Sequence, residues 1–290
     1  MLLGLLRSMR PRQWAKNIFL FAALVFDLKL LQPEPLLRTL AGLVIFCLAS
    51  SVVYLVNDVA DVESDRQHPV KRTRPIAAGV VPTGAALLVA VLLGVTAVVA
   101  GFSLGTAFGA IVTGFLALNL IYSFWLKHVP ILDVFSVAAG FVLRVGAGVS
   151  LITVTRFSPW LYVCMTLLAL YIGFGKRRAE MVLVAGAARD TRRVLDGYTI
   201  SFLDQLIVIV SATTIVAYSL YTFSAENLPD NHTMMLTIPF VFYGLFRYLY
   251  LIHVENSGGA PEELVFKDRP LMATLMLWGL AAVAVLYLGQ

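Results

Sequence analysis

The chain has 290 residues, 59% of them hydrophobic and 13% charged, with a mean hydropathy of +0.85. That leaves too little polar surface to cover a water-soluble globule, so the chain belongs in a bilayer. Its net charge of +5 is carried mostly by loops flanking apolar runs, which is a topology signal and not a nucleic-acid surface.

The N-terminus opens with six residues before Arg7, followed by Arg10, Pro11 and Arg12. This order lacks the charged start and cleavage site of a signal peptide, so targeting is expected to rest on the first span. Runs long enough to cross the roughly 30 Å hydrocarbon core predict nine helical spans, at residues 17–31, 36–56, 84–102, 106–124, 132–152, 158–175, 201–223, 234–253 and 271–289. The expectation is an all-α, polytopic membrane helix bundle of about nine transmembrane helices, one domain over residues 1–290, with a central cavity open to the cytoplasmic side. With the N-terminus inside, most of the 22 Lys and Arg residues are cytoplasmic, and only Lys29, Arg38 and Arg156 fall outside. The long inner connections near 57–83, 176–200 and 254–270 are dense in ionisable groups. Chemistry is therefore expected on the inner face of the cell membrane. Cys47 and Cys164 lie within apolar runs without metal-ligand spacing, and nothing in the sequence decides the oligomeric state.

The strongest local signal is NDVADVESD, Asn57 to Asp65, at the inner end of the second span. If the helix continues at about 100° per residue, Asn57, Asp58, Asp61 and Asp65 share one face and Glu63 points away. Carboxylates packed this closely repel, so a divalent cation is their natural partner. Magnesium is commonly held by one or two carboxylates plus substrate phosphate oxygens. Solvated acids paired with nearby cations are the alternative. Downstream, Pro69 ends the helix and Pro75 stiffens a loop from which Lys71, Arg72 and Arg74 can fold back over the carboxylates; surface anchoring would use the same residues.

Between the fourth and fifth spans, YSFWLKHVPILD offers Tyr122, Lys127 and Asp133 as groups facing an inner vestibule. Arg144 lies about 16 Å deeper, too far to pair with Asp133, and a charge at that depth has a functional or a buried structural partner. A second inner loop is expected to begin with KRRAE, Lys176 to Glu180, and to continue through Arg189, Arg192, Arg193 and Asp196 to Tyr198. This basic stretch suits phosphate or membrane anchoring. His68 and His128 lack paired metal-ligand spacing.

Taken together, NDVADVESD after the second span, nine spans and an acidic inner mouth resemble the intramembrane prenyltransferase (UbiA) superfamily. RPRQWAKN (Arg10 to Asn17), HPVKRTRPIAAG (His68 to Gly79), YSFWLKH (Tyr122 to His128), LDVFSVAAGFVLR (Leu132 to Arg144), KRRAE and FKDRP (Phe266 to Pro270) look most like its decaprenyl-phosphate phosphoribosyltransferase branch. The resemblance implies transfer of 5-phosphoribose from phosphoribosyl diphosphate to a polyprenyl phosphate, feeding arabinan synthesis in cell walls. It implies Mg²⁺ on Asp58, Asp61 and Asp65 as the catalytic set. Asn57, Lys71, Arg72, Arg74, Lys16, Tyr122, Lys127, Asp133, Lys176, Arg177, Arg178, Arg193 and Tyr198 are then the expected substrate contacts. Where prenyl-diphosphate users carry a second Asp-rich motif, this chain has KRRAE. The other enzyme reading is prenyl transfer to an aromatic or other small acceptor, and a membrane transporter is the reading of another class.

Overall fold

The computed structural model describes every residue except 155–157, 186–192, 226, 227, 230, 289 and 290. Arg156, Arg189 and Arg192 therefore lie outside the described residues. Regular structure among the described residues is helical throughout. Helix α1 (Leu2–Ser8) leads into a 3-10 helix (Pro11–Leu20), which passes directly into α2 (Phe21–Phe26). Helices α3 (Pro33–Ala60), α4 (Val62–Gln67), α5 (Thr83–Leu104), α6 (Thr106–Phe124) and α7 (Leu132–Leu151) follow. The chain ends with α8 (Pro159–Ala185), α9 (Ile200–Ser224), α10 (Ile238–His253), α11 (Pro261–Lys267) and α12 (Arg269–Leu288).

Among the described residues, eight helical segments are long and apolar enough to cross a membrane, and the chain is a multi-pass membrane protein. The span expected at 17–31 is not a ninth helix of this kind, and the reason lies in which side chains are buried. Trp14, Asn17 and Leu20, three residues apart, turn inward while Ala15 and Ile18 are exposed, the three-residue repeat of a 3-10 helix. Ten residues at about 2.0 Å and six at about 1.5 Å still reach roughly 29 Å. The segment also runs antiparallel along α3. Arg10 meets Asp58, Trp14 Nε1 donates to Ser51 Oγ at 3.2 Å, and Asn17 Nδ2 donates to Cys47 Sγ at 3.4 Å. It thus has the length and course of a crossing without being one long α-helix. A second difference concerns α8, which runs ten residues past the expected end of its span and carries KRRAE within the helix.

The chain gathers into two compact units. The first comprises Met1–Val25, Lys29–Lys127 and Gly140–Val154, and the second Phe26–Leu28, His128–Ala139 and Thr155–Gln290. In the first, Phe46 of α3 packs its ring 5.9 Å from Phe108 and 5.2 Å from Phe115, and single Gly105 joins α5 to α6. Leu88, Val91, Leu92, Val95 and Val99 of α5 remain exposed, an apolar face that only lipid covers favourably. In the second, Tyr171 donates to the Leu245 carbonyl at 2.8 Å and Trp278 Nε1 to Tyr218 Oη at 2.7 Å. The Tyr171 and Tyr218 hydroxyls thereby gain partners inside the protein.

Candidate active site

In the first unit Asp58 lies in the last turn of α3, Asp61 at the break after it, and Asp65 in α4. The break does not scatter them. The Asp61 N–H donates to the Asn57 carbonyl at 2.9 Å and the Asp65 N–H to the Asp61 carbonyl at 2.8 Å, so the helical i to i−4 pattern carries through. Asp58 and Asp65 are buried at 2% and 1% exposure. Asn57 and Asp61 are half-buried, and Glu63 is exposed beside Arg66 at 2.9 Å.

One guanidinium nitrogen joins the two buried acids: Arg74 Nη1 lies 2.5 Å from Asp65 Oδ2 and 3.3 Å from Asp58 Oδ1. The loop is built to hold it there. His68, in extended conformation, ends α4 and accepts from the Val70 and Lys71 N–H groups at 3.2 Å each. Beyond Arg74, Ile76 and Val81 are buried at 1% exposure, and Gly79 makes the intervening turn at φ +74, a conformation that favours glycine. Lys71 Nζ stands 4.0 Å from Asp65, Lys127 Nζ lies 2.5 Å from Asp61 Oδ1, and Arg72 is exposed. Arg10 also pairs with Asp58, with its guanidinium 4.9 Å from the centre of the Tyr54 ring. Arg10, Arg74, Lys71 and Lys127 outnumber the three aspartates, a surplus that suits an anionic ligand.

The aspartates do not form one ligand cage. Among the described residues no three His, Cys, Asp or Glu side chains converge as metal ligands. Asp58 and Asp65 meet on the same nitrogen while Asp61 is drawn to Lys127. Two carboxylates of this kind fit magnesium that takes its remaining ligands from water and phosphate. Asp61, one helical turn from Asp58 and from Asp65, stands beside them on Lys127.

The second unit holds a separate buried polar cluster. Arg177 lies 2.5 Å from both Asp133 and Glu180, and Tyr198 donates to Asp133 Oδ1 at 2.7 Å. The Tyr198 oxygen accepts from the Ile131 N–H at 2.5 Å, holding a β-branched residue at φ +70, a strained conformation. Burial, and then the bond to Asp133, push the Tyr198 phenol above its usual range, so it stays a donor. Arg178 lies 2.5 Å from Asp204 and donates to the Ile252 carbonyl at 2.8 Å, and His253 Nε2 is 3.2 Å from Asp204.

Lys127 pairs with Asp61 in the first unit, and Asp133 pairs with Arg177 and Tyr198 in the second. KRRAE, expected as a basic loop, is helical, and each of its arginines carries its own acid. Lys176 is half-buried in α8 and Arg193 opens a 3-10 helix (Arg193–Gly197). Lys16 and Tyr122 are half-buried in the first unit. Arg10 had no site role in the sequence reading, and its signal was the cation just before Pro11 in RPRQWAKN.

The sequence pattern of the UbiA prenyltransferase family matches residues 18–253. The decaprenyl-phosphate phosphoribosyltransferase of Mycobacterium tuberculosis is 34% identical over 280 residues, covering 95% of this chain and 91% of that protein. The enzyme of the same name from Corynebacterium glutamicum is 31% identical over 295 residues, covering 98% and 87%. A UbiA homologue from Archaeoglobus fulgidus, solved with GPP and Mg²⁺, shares the fold with a TM-score of 0.75 at 19% identity, covering 98% of this chain and 99% of that one. With the family pattern spanning most of its length and relatives aligned along nearly all of it, the protein belongs to the UbiA prenyltransferase family and is a membrane-embedded transferase.

Proposed function

We propose that the protein transfers 5-phosphoribose from phosphoribosyl diphosphate to a polyprenyl phosphate, with Mg²⁺, at the cytoplasmic face of the cell membrane. The observation that carries this reading is the buried Asp58–Asp65 pair under Arg74, in a chain 34% identical to a decaprenyl-phosphate phosphoribosyltransferase over 95% of its length. Wall arabinan synthesis is the downstream use that the relatives' branch implies.

Asp58 and Asp65 would hold the metal, with Asp61 and Asn57 beside them. Bound there, Mg²⁺ would supply the charge that neutralises the departing diphosphate. Arg74, Arg10 and Lys71 exchange carboxylate for phosphate oxygens, Lys127 is positioned to do the same from Asp61, and exposed Arg72 adds a further cation. Each such charge-assisted contact strengthens as negative charge builds on the leaving group. The acceptor phosphate is already ionised at neutral pH, so no side chain need remove a proton. The chain's task is to align that oxygen behind C1 of the ribose, and in-line displacement inverts the anomeric centre. The lipid acceptor keeps its tail among apolar helices, since about 0.8 kcal/mol per buried CH₂ opposes its leaving them. We assign Asp133, Arg177, Arg178 and Tyr198 to holding the second unit together.

The test uses the full chain in nanodiscs with ribose-labelled phosphoribosyl diphosphate and a mixed polyprenyl phosphate extract. Lipid-extractable label that requires magnesium and is lost in Asp58→Asn is the expected result. Transfer from farnesyl diphosphate to a small acceptor, with none from phosphoribosyl diphosphate, would replace this reading with prenyl transfer.

A further inference from the structure

Arg144 of α7 is buried at 8% exposure within a membrane-spanning helix. Arg10, Arg66, Arg74, Arg177, Arg178 and Arg247 each meet a carboxylate. Arg144 meets none among the described residues. Its Nε donates to Asn17 Oδ1 and its Nη1 to the Gly140 carbonyl, both at 2.8 Å. Its guanidinium lies 4.7 Å from the Phe115 ring centre and 5.5 Å from that of Phe141. An isolated charge is costly to bury, and simple packing here would be served by an apolar side chain of similar volume. What Arg144 grips is Asn17, which is fully buried, accepts from Ser50 Oγ at 3.3 Å and reaches Cys47 Sγ at 3.4 Å.

Asn17 belongs to the 3-10 helix Pro11–Leu20, far longer than the three or four residues usual for that geometry. Asn17 and Trp14, one turn apart and both anchored on α3, hold the three-residue register. At the other end of this helix stands Arg10, at φ +52, with its guanidinium on Asp58. Seven residues separate Asn17 from Arg10. If they relaxed to α-helix, the rise would fall from about 2.0 to 1.5 Å per residue and the turn from about 120° to 100°. Arg10 would retreat by about 3.5 Å and swing by about 140°.

We propose that Arg144 is a positioning residue: by locking Asn17 it keeps this segment in 3-10 register and so delivers Arg10 to Asp58. The points where Asn17 meets α3, Ser50 and Cys47, lie about 12–17 Å along the helix from Asp58, so Arg144 acts through Arg10 and not on the donor. The inference rests on the donor reading for its kinetic arm and on the fold alone for its spectroscopic arm.

The experiment measures phosphoribosyl diphosphate binding and Trp14 emission, isolated by subtracting Trp14→Phe, in nanodisc-embedded full chain. Arg10→Ala should weaken the donor about 10- to 100-fold, the loss of one charge-assisted contact. Arg144→Met should weaken it comparably and shift Trp14 emission. The double variant should be no more than about 3-fold weaker than Arg10→Ala alone, because the second change acts through a residue already removed. Asn17→Asp, which keeps an acceptor for Arg144, should bind within about 3-fold of wild type. If Arg144→Met does not fold, Asn17→Leu releases the same lock and takes its place. Losses that multiply in the double variant, or Trp14 emission unchanged when the lock is released, overturn the proposal. Wild-type protein that binds no phosphoribosyl diphosphate overturns the donor reading instead, and the emission shift then decides the lock.

Discussion

Arg74 is the sharpest place to perturb the protein, because one nitrogen serves two buried carboxylates. Arg74→Met keeps volume and removes the charge. Breaking a buried ion pair from one side costs about 3–5 kcal/mol. Arg74 is 26% exposed, Lys71 still stands 4.0 Å from Asp65 and Arg10 still holds Asp58, so we expect less than that, about 2–3 kcal/mol. At about 2–4 °C per kcal/mol for a chain of this size, detergent-solubilised protein should melt roughly 5–10 °C lower. Adding Asp65→Asn removes the carboxylate that lost its close partner, so the double variant should recover much of the loss. Mg²⁺ should raise the melting temperature more in Arg74→Met than in wild type, since no guanidinium competes for the carboxylates. Unchanged melting in the single variant, or a double variant as unstable as the two single losses combined, would refute the electrostatic reasoning.

Tyr198→Phe removes a donor from Asp133 and an acceptor from the Ile131 N–H, so melting should fall by the equivalent of about 1–2 kcal/mol. Because the phenol is raised above its usual pKa of about 10, the gap from wild type should hold below that pH and close only as pH rises through the folded value. Asp268 accepts from Arg247 at 2.6 and 3.1 Å, and that bond holds its carboxyl below the usual range. Its stabilisation is therefore present above about pH 4 and lost on acidification. The melting gap between wild type and Asp268→Asn should narrow as pH falls through that range, and a gap independent of pH would contradict it. A Cβ at Gly148 would run into the Leu20 carbonyl, so Gly148→Ala should destabilise by about 1–3 kcal/mol, read as a lower melting temperature.

By itself the sequence determined what depends on neighbours along the chain. Apolar run lengths located eight of the crossings, and helical spacing put Asp58 and Asp65 on one face with Glu63 turned away. Pro69 and Pro75 marked the turn that returns Arg74 to them, only sixteen residues from Asp58. Tertiary structure decided what depends on distant partners. Apolarity measures how far a segment reaches but not its helix type, so the three-residue register of Pro11–Leu20 became visible only with Trp14, Asn17 and Leu20 against their neighbours. Local charge density is the same whether an arginine is free or paired, so KRRAE by itself suits phosphate or membrane anchoring, and only the fold places Asp133, 44 residues from Arg177, and Asp204, 26 residues from Arg178, beside it. Arg10 reaches Asp58 across 48 residues and Arg144 reaches Asn17 across 127. Such contacts exist because packing brings helices together that no local spacing relates, and in a bilayer that same packing decides which charges find partners.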